Sequence, residues 1–183
     1  MPTTDVIHTL RKTRSPIPSL RLPRRSGIYA IYLKEGSSLE GINIEHDKPI
    51  YIGSTSNLAE RALEHHLNSD STGFSTVRRT IGAMMKSEFQ LRAIPRRSGP
   101  ANSNFVNYKF FPAGENLLTR WMQENIEIGF CPIFELDDCK IIEKELIKTF
   151  HPALNLTGWK NTYRPRIELL RKACADEARN YAG

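Results

Sequence analysis

At 183 residues the chain is long enough to bury a substantial core, and its 39% hydrophobic and 25% charged content is ordinary for a soluble globular domain. No apolar run reaches the roughly 20 residues that cross a bilayer, and no apolar block follows the first charges as a secretory signal requires, so a cytoplasmic protein without a membrane partner is expected. The formal charge of +6 and a pI near 9.3 favour a polyanionic partner, while Cys131, Cys139 and Cys174, an odd set without a CxxC pair, read as buried free thiols rather than as a disulfide framework or a zinc site.

The first 25 residues form a basic extension, in which Arg11, Lys12, Arg14, Arg21, Arg24 and Arg25 face only Asp5. Residues 27–33 (GIYAIYL) and 49–52 (PIYI) are short, rich in Ile and Tyr and bounded by turn formers, which predicts paired strands carrying Tyr29 and Tyr51. Glu35, Glu40, Glu45 and Asp47 fall between them among glycines and serines, so this segment reads as a long loop facing away from any phosphate backbone. Asn57 is placed to cap a helix with Glu60 completing a capping box, and Arg61 and His65 follow one turn apart.

Ser75 caps a second helix through Lys86, and residues 96–104 (RRSGPANSN) look least structured. Strands are expected at 107–111 and 131–134, with a helix around Trp121 between them whose Trp121 and Met122 belong to the core. Asp138 is the expected cap of a helix running to Phe150, which Pro152 stops, and Pro165 suits the first turn of a last helix reaching about Ala178. That last helix, with Ile167, Leu169 and Leu170 among basic residues, packs either on the core or on a second subunit. The order of elements implies a small α+β domain over 26–158 with an insertion at about 69–136, an N-terminal extension over 1–25 and a C-terminal helical extension over 159–183.

One carboxylate is out of place. Cys139, Ile142, Leu146 and Phe150 make an apolar stripe on their helix, and Glu143 projects within its margin, whereas Glu145 lies on the far side and is solvated. A carboxylate turned toward a core costs several kcal/mol unless it is paired, hydrogen-bonded or metal-bound. From the helix alone, a structural ion pair with an arginine and a functional role both remain open. Likewise Arg61 and His65 are either a solvated basic face or a phosphate-binding edge, and Tyr29 and Tyr51 are either ordinary sheet aromatics or a site.

Taken together, GIYAIYL, PIYIGSTSNLAERALEHH and EKELIKTFHPALN resemble, in the same order, the successive motifs of the GIY-YIG nucleases. The resemblance covers roughly residues 26–156 and is poor over about 69–140, and the long segment between Tyr29 and Tyr51 looks more like that of certain restriction enzymes in the family. It implies a three-stranded antiparallel sheet flanked by helices, with inserted helices and a C-terminal helix. It also implies one divalent ion on Glu143, magnesium by default with manganese able to substitute. In the family's pattern Tyr29 would be the general base, Tyr51 would position the water or phosphate, Arg61 would bind the scissile phosphate, His65 would support them and Asn155 would fix the geometry. Lys48 and Arg61 would favour deprotonation of the tyrosine, whose ordinary pKa is near 10.

Double-stranded DNA is the expected partner, gripped by Arg24 and Arg25 of the extension, by Lys48, by Arg78 and Arg79 near a helix start, and by Arg96 and Arg97 on a Gly-Pro loop. For Arg78 and Arg79 a solvated helix face is the equal alternative. The function expected is a metal-dependent DNA endonuclease of restriction, defence or mobile-element type, as a monomer or homodimer. A catalytically silent DNA-binding module and a partner-dependent repair incision nuclease are the alternatives.

Overall fold

A computed structural model describes residues 1–43, 45–60 and 72–181 of the chain. In chain order the elements are α1 (Thr3–Lys12), β1 (Ser15–Pro16), β2 (Gly27–Leu33), β3 (Tyr51–Thr55), α2 (Thr76–Met84), β4 (Ala93–Ile94), α3 (Asn102–Val106), β5 (Lys109–Phe110), α4 (Pro112–Asn125), β6 (Ile126–Pro132), α5 (Leu136–Phe150) and α6 (Arg164–Arg179). The architecture is α+β, as expected.

Strand β2 is buried along its whole length because it is covered on both faces. Side chains alternate across a strand. Tyr29, Ile31 and Leu33 therefore enter one apolar cluster, while Ile28, Ala30 and Tyr32 enter another on the opposite face. The sheet is antiparallel with order β1-β6-β2-β3, so the three expected strands acquire a two-residue fourth at the outer edge of β6.

Helices α1 and α5 cover the smaller cluster through Val6, Leu10, Cys139, Ile142, Leu146 and Ile147. Helices α2, α4 and α6, with the β4–β5 ribbon, form the larger cluster through Val77, Ile81, Leu118, Met122, Phe110 and Ile167. Both terminal segments thus pack onto the central domain. In α6, Ile167 is buried and Leu169 points outward, so the helix meets the body of its own chain.

The N-terminal segment is also tied by polar contacts. The Thr13 hydroxyl accepts from Phe130 N–H at 2.8 Å and donates to Phe130 C=O at 2.7 Å. Arg14 pairs with Glu127 at 2.6 Å, donates to the carbonyls of Leu33 and His46, and lies over the Tyr32 ring.

Several boundaries differ from the sequence expectation for identifiable reasons. The strand expected at 131–134 is only the end of β6, which begins at Ile126 directly out of α4 with no intervening turn residue. The strand expected at 107–111 is confined to Lys109–Phe110. The helix expected from Ser75 to Lys86 ends at Met84, although Ser75 does accept from Arg78 N–H at 3.1 Å. Glu135, not Asp138, occupies the cap of α5, and Asp137 and Asp138 fall in its first turn, where negative charge offsets the helix dipole. The same helix stops at Phe150 as expected: His151 turns left-handed with φ +51 and Pro152 follows.

At Asn57 the capping box is present in modified form, with Glu60 N–H donating to the Asn57 side chain at 3.3 Å and the Asn57 amide donating back to Glu60. Residues 96–104 are better organised than expected, because buried Asn104 donates to the carbonyls of Ser98 and Gly99. The three cysteines are free and buried. Among the described residues no helix is long and apolar enough to cross a membrane.

Candidate active site

Tyr29 lies at the centre of β2, directly opposite Gly53 of β3. The phenol leans across that partner: a methyl placed on Gly53 would sit 2.6 Å from Tyr29 Oη, 2.7 Å from Cζ and 2.9 Å from Cε1. Only glycine leaves this slot open. Tyr29 is 1% exposed, and the half-buried Tyr51, two residues before Gly53, brings its ring to 6.1 Å from that of Tyr29 at an interplanar angle of 36°. The two tyrosines therefore belong to one cluster on one face.

The next residue of β3, Ser54, points to the other face and meets α5 there. Its hydroxyl donates to the carboxylate of Glu143, which is half-buried. The compensation anticipated for this carboxylate is therefore a serine hydroxyl, and among the described residues no lysine, arginine or histidine pairs with it. Glu145, by contrast, is exposed, and its carboxylate takes the Thr3 hydroxyl. Ser54 was missed at the sequence level, although period-two alternation from Tyr51 would have placed it on the face of β3 away from that tyrosine.

Asn155 holds the strand that joins these two groups. Its side chain accepts from Ile52 N–H at 2.8 Å and donates to Ile52 C=O at 2.9 Å, so it completes the free edge of β3 between Tyr51 and Gly53. Leu154 N–H adds a bond to Ile50 C=O at 2.8 Å. The loop carrying Asn155 is itself clamped, since the Trp159 indole and the buried Asn161 amide both donate to Asn155 C=O at 3.0 Å.

Arg61 and His65 lie outside the described residues. Lys48 is exposed and pairs with Glu45 at 2.7 Å, and that carboxylate raises its pKa. Arg24 and Arg25 are exposed, with Arg25 over the Phe134 ring and its carbonyl accepting from Leu58 N–H at 2.9 Å. Arg96 and Arg97 lie over the Phe74 ring.

The structure corrects the expectation for Arg78 and Arg79, which point inward. Arg78 has no exposed surface and pairs with Glu115 of α4 at 2.8 Å, alongside the Thr72 and Thr119 hydroxyls. Arg79 is 6% exposed and donates to the carbonyls of Thr72 and Gly73. A phosphate outside the protein has no access to the Arg78 guanidinium. Glu115, which also accepts from Phe110 N–H and the Thr72 hydroxyl, is the buried partner that sequence reasoning missed.

Among the described residues no group of three His, Cys, Asp or Glu side chains could enclose a metal by itself. A hard cation that keeps its waters and takes substrate phosphate oxygens needs as little as one protein carboxylate. Glu143 fits that limited demand, being an oxygen donor that no cation among the described residues neutralises.

A family model described as the GIY-YIG catalytic domain matches residues 27–173. No curated protein and no solved structure matches the chain.

Proposed function

The chain belongs to the GIY-YIG catalytic-domain family, a nuclease family, and from that premise we propose that it is a divalent-metal-dependent endonuclease cutting phosphodiester bonds of DNA. One observation carries the reading. Adjacent residues of β3, Gly53 and Ser54, receive the Tyr29 phenol on one face and the Glu143 carboxylate on the other, which supports reading the tyrosine as the proton acceptor and the glutamate as the cation ligand of one site.

In this reading Tyr29, as phenolate, takes a proton from the attacking water while the water oxygen bonds to phosphorus and the bond to the leaving oxygen breaks. General base catalysis of this kind is worth about 10²- to 10⁴-fold. Tyr51, beside Tyr29, positions the water or the phosphate. Arg61 binds the scissile phosphate and His65 supports it, as the motif order in the sequence implies. Magnesium, or manganese in its place, would be held by Glu143 and would stabilise charge on the phosphate and the leaving oxygen. Asn155 is a positioning residue that acts through β3.

The exposed Arg24, Arg25, Arg97 and Lys48, with the half-buried Arg96, supply the sequence-independent grip on the DNA backbone. A monomer suffices for nicking, and a homodimer would match a symmetric site.

The test is conversion of supercoiled plasmid to nicked and linear forms with magnesium or manganese. Cutting should vanish with EDTA and with Glu143→Gln. Binding of DNA without cutting by the unaltered protein would overturn the nuclease reading in favour of a binding module, and unchanged cutting by Glu143→Gln would remove Glu143 from the site.

A further inference from the structure

Phe74 closes a short 3-10 turn (Thr72–Phe74) immediately before α2, and it is 45% exposed. Large aromatic rings are normally buried, and an exposed one in a positively charged setting carries information. The guanidinium carbons of Arg96 and Arg97 lie 5.1 and 5.6 Å from the centre of this ring. Neither arginine pairs with a carboxylate among the described residues, and Arg96 Nε is buried without a hydrogen-bond acceptor.

This arrangement is constructed from both sides. A methyl on Gly73 would lie 2.5 Å from Arg96 Cγ, so the stem of Arg96 crosses the backbone where only glycine permits it. Arg96 N–H donates to Asn104 C=O at 2.9 Å, and the Asn104 side chain fastens the turn at Ser98 and Gly99. Two guanidiniums with no carboxylate partner among the described residues, Arg96 also donating to Gly73 C=O at 3.4 Å, are thereby held beside an exposed ring on the insertion. The sequence from Phe89 to Gly114 contains no aspartate or glutamate, and it carries Arg92, Arg96, Arg97 and Lys109. The other exposed ring under an arginine, Phe134 beneath Arg25, is followed by Glu135, Asp137 and Asp138, which would repel a phosphate.

We propose that Phe74 is a stacking site for an unpaired base of the DNA strand, the Arg96 and Arg97 guanidiniums that lie over its ring in the free protein moving onto that strand's phosphates as the base takes their place. Aromatic faces bind bases through stacking, which is insensitive to salt, whereas arginine–phosphate contacts release counterions and weaken as salt rises. The combination favours substrates with an accessible base, such as a gap, a flap or a distorted duplex, over intact duplex. This inference rests on the DNA-nuclease reading and adds the feature of the substrate that the insertion recognises.

The test is fluorescence anisotropy of a labelled oligonucleotide, single-stranded and duplex, titrated at several salt concentrations with Glu143→Gln protein so that nothing is cut. Phe74→Ala should weaken single-strand binding about tenfold with its salt slope unchanged, and Phe74→Trp should restore it and show tryptophan quenching as the strand binds. Arg97→Ala should lower the salt slope by about 0.7 for a single strand. Single-strand affinity unchanged in Phe74→Ala would overturn the stacking site. So would a loss in Phe74→Ala that tracks salt like the arginine variant, or a change confined to self-association in sedimentation. Failure of the parent protein to bind or cut any DNA would instead overturn the nuclease reading, so the two failures are distinguishable.

Discussion

Gly53→Ala is the sharpest perturbation of the candidate site, because it changes one methyl and nothing electrostatic. The added carbon would lie within 3.0 Å of Oη, Cζ and Cε1 of Tyr29, a rigid ring that is 1% exposed. Overpacking of this kind costs about 1–3 kcal/mol, and here the strain falls on the proposed base. The expected outcome is a loss of that size in urea unfolding, with plasmid cutting reduced by at least about 10²-fold, since proton transfer depends on where the phenol oxygen sits. A double-mutant cycle isolates the cause. In a Tyr29→Leu background the ring end is absent, so Gly53→Ala should cost about 0.5 kcal/mol or less, leaving a coupling energy of about 1–3 kcal/mol. Equal costs in the two backgrounds, or wild-type activity in Gly53→Ala, would refute the claim that this glycine exists to seat the tyrosine.

Arg78→Met should destabilise the protein by about 3–5 kcal/mol, because it strands the Glu115 carboxylate in the interior, yet leave the salt slope of DNA binding unchanged in the fraction that stays folded. Urea unfolding and anisotropy check the two halves, and a reduced slope would return Arg78 to the DNA interface. The Cys174 thiol is pushed up to about 11 by burial, so native protein should resist iodoacetamide at neutral pH and become labelled only on unfolding, as read by mass spectrometry. Because folding raises this pKa, its contribution to stability is complete below the ordinary thiol value and is lost as pH climbs toward 11. Equal labelling rates in native and urea-unfolded protein would refute the burial argument.

The parts of the site that were legible in the sequence are those whose signals are local. Tyr29 and Tyr51 stood on short runs of Ile and Tyr between turn formers, and Glu143 interrupted an apolar stripe that α5 does bury. Ser75 capped α2 by the same local logic. What escaped depends on partners distant in sequence. The pair Arg78-Arg79 reads as a surface at a helix start until Glu115, on α4, folds over it. The start of β6 was hidden because α4 passes into it without a glycine or proline at the junction. Phe74 looked unremarkable because the arginines that flank it lie beyond α2 in the chain.

Strand β3 shows why this family's motif takes the form it does in this chain. Tyr51 and Gly53 share one face, so the motif's first and third residues act on Tyr29, while Ile52 and Ser54 serve the opposite face, one filling the smaller cluster and the other meeting Glu143. Such a division of labour requires the register of β3 to be exact, since a slip of one residue would exchange the two faces. Among the described residues β3 is an edge strand, with a neighbour on one side only to set that register. Asn155 supplies the missing constraint by offering both a donor and an acceptor to the single residue Ile52, as a neighbouring strand would. Aspartate could accept from Ile52 N–H but, when ionised, could not donate to its carbonyl, whereas the amide of Asn155 satisfies both groups. The side chain pins the register and occupies an edge that would otherwise invite another strand. Asn155 is in this sense the third wall of the candidate site: it need not touch a phosphate to determine which face of β3 the Tyr29 phenol and the Glu143 carboxylate each meet.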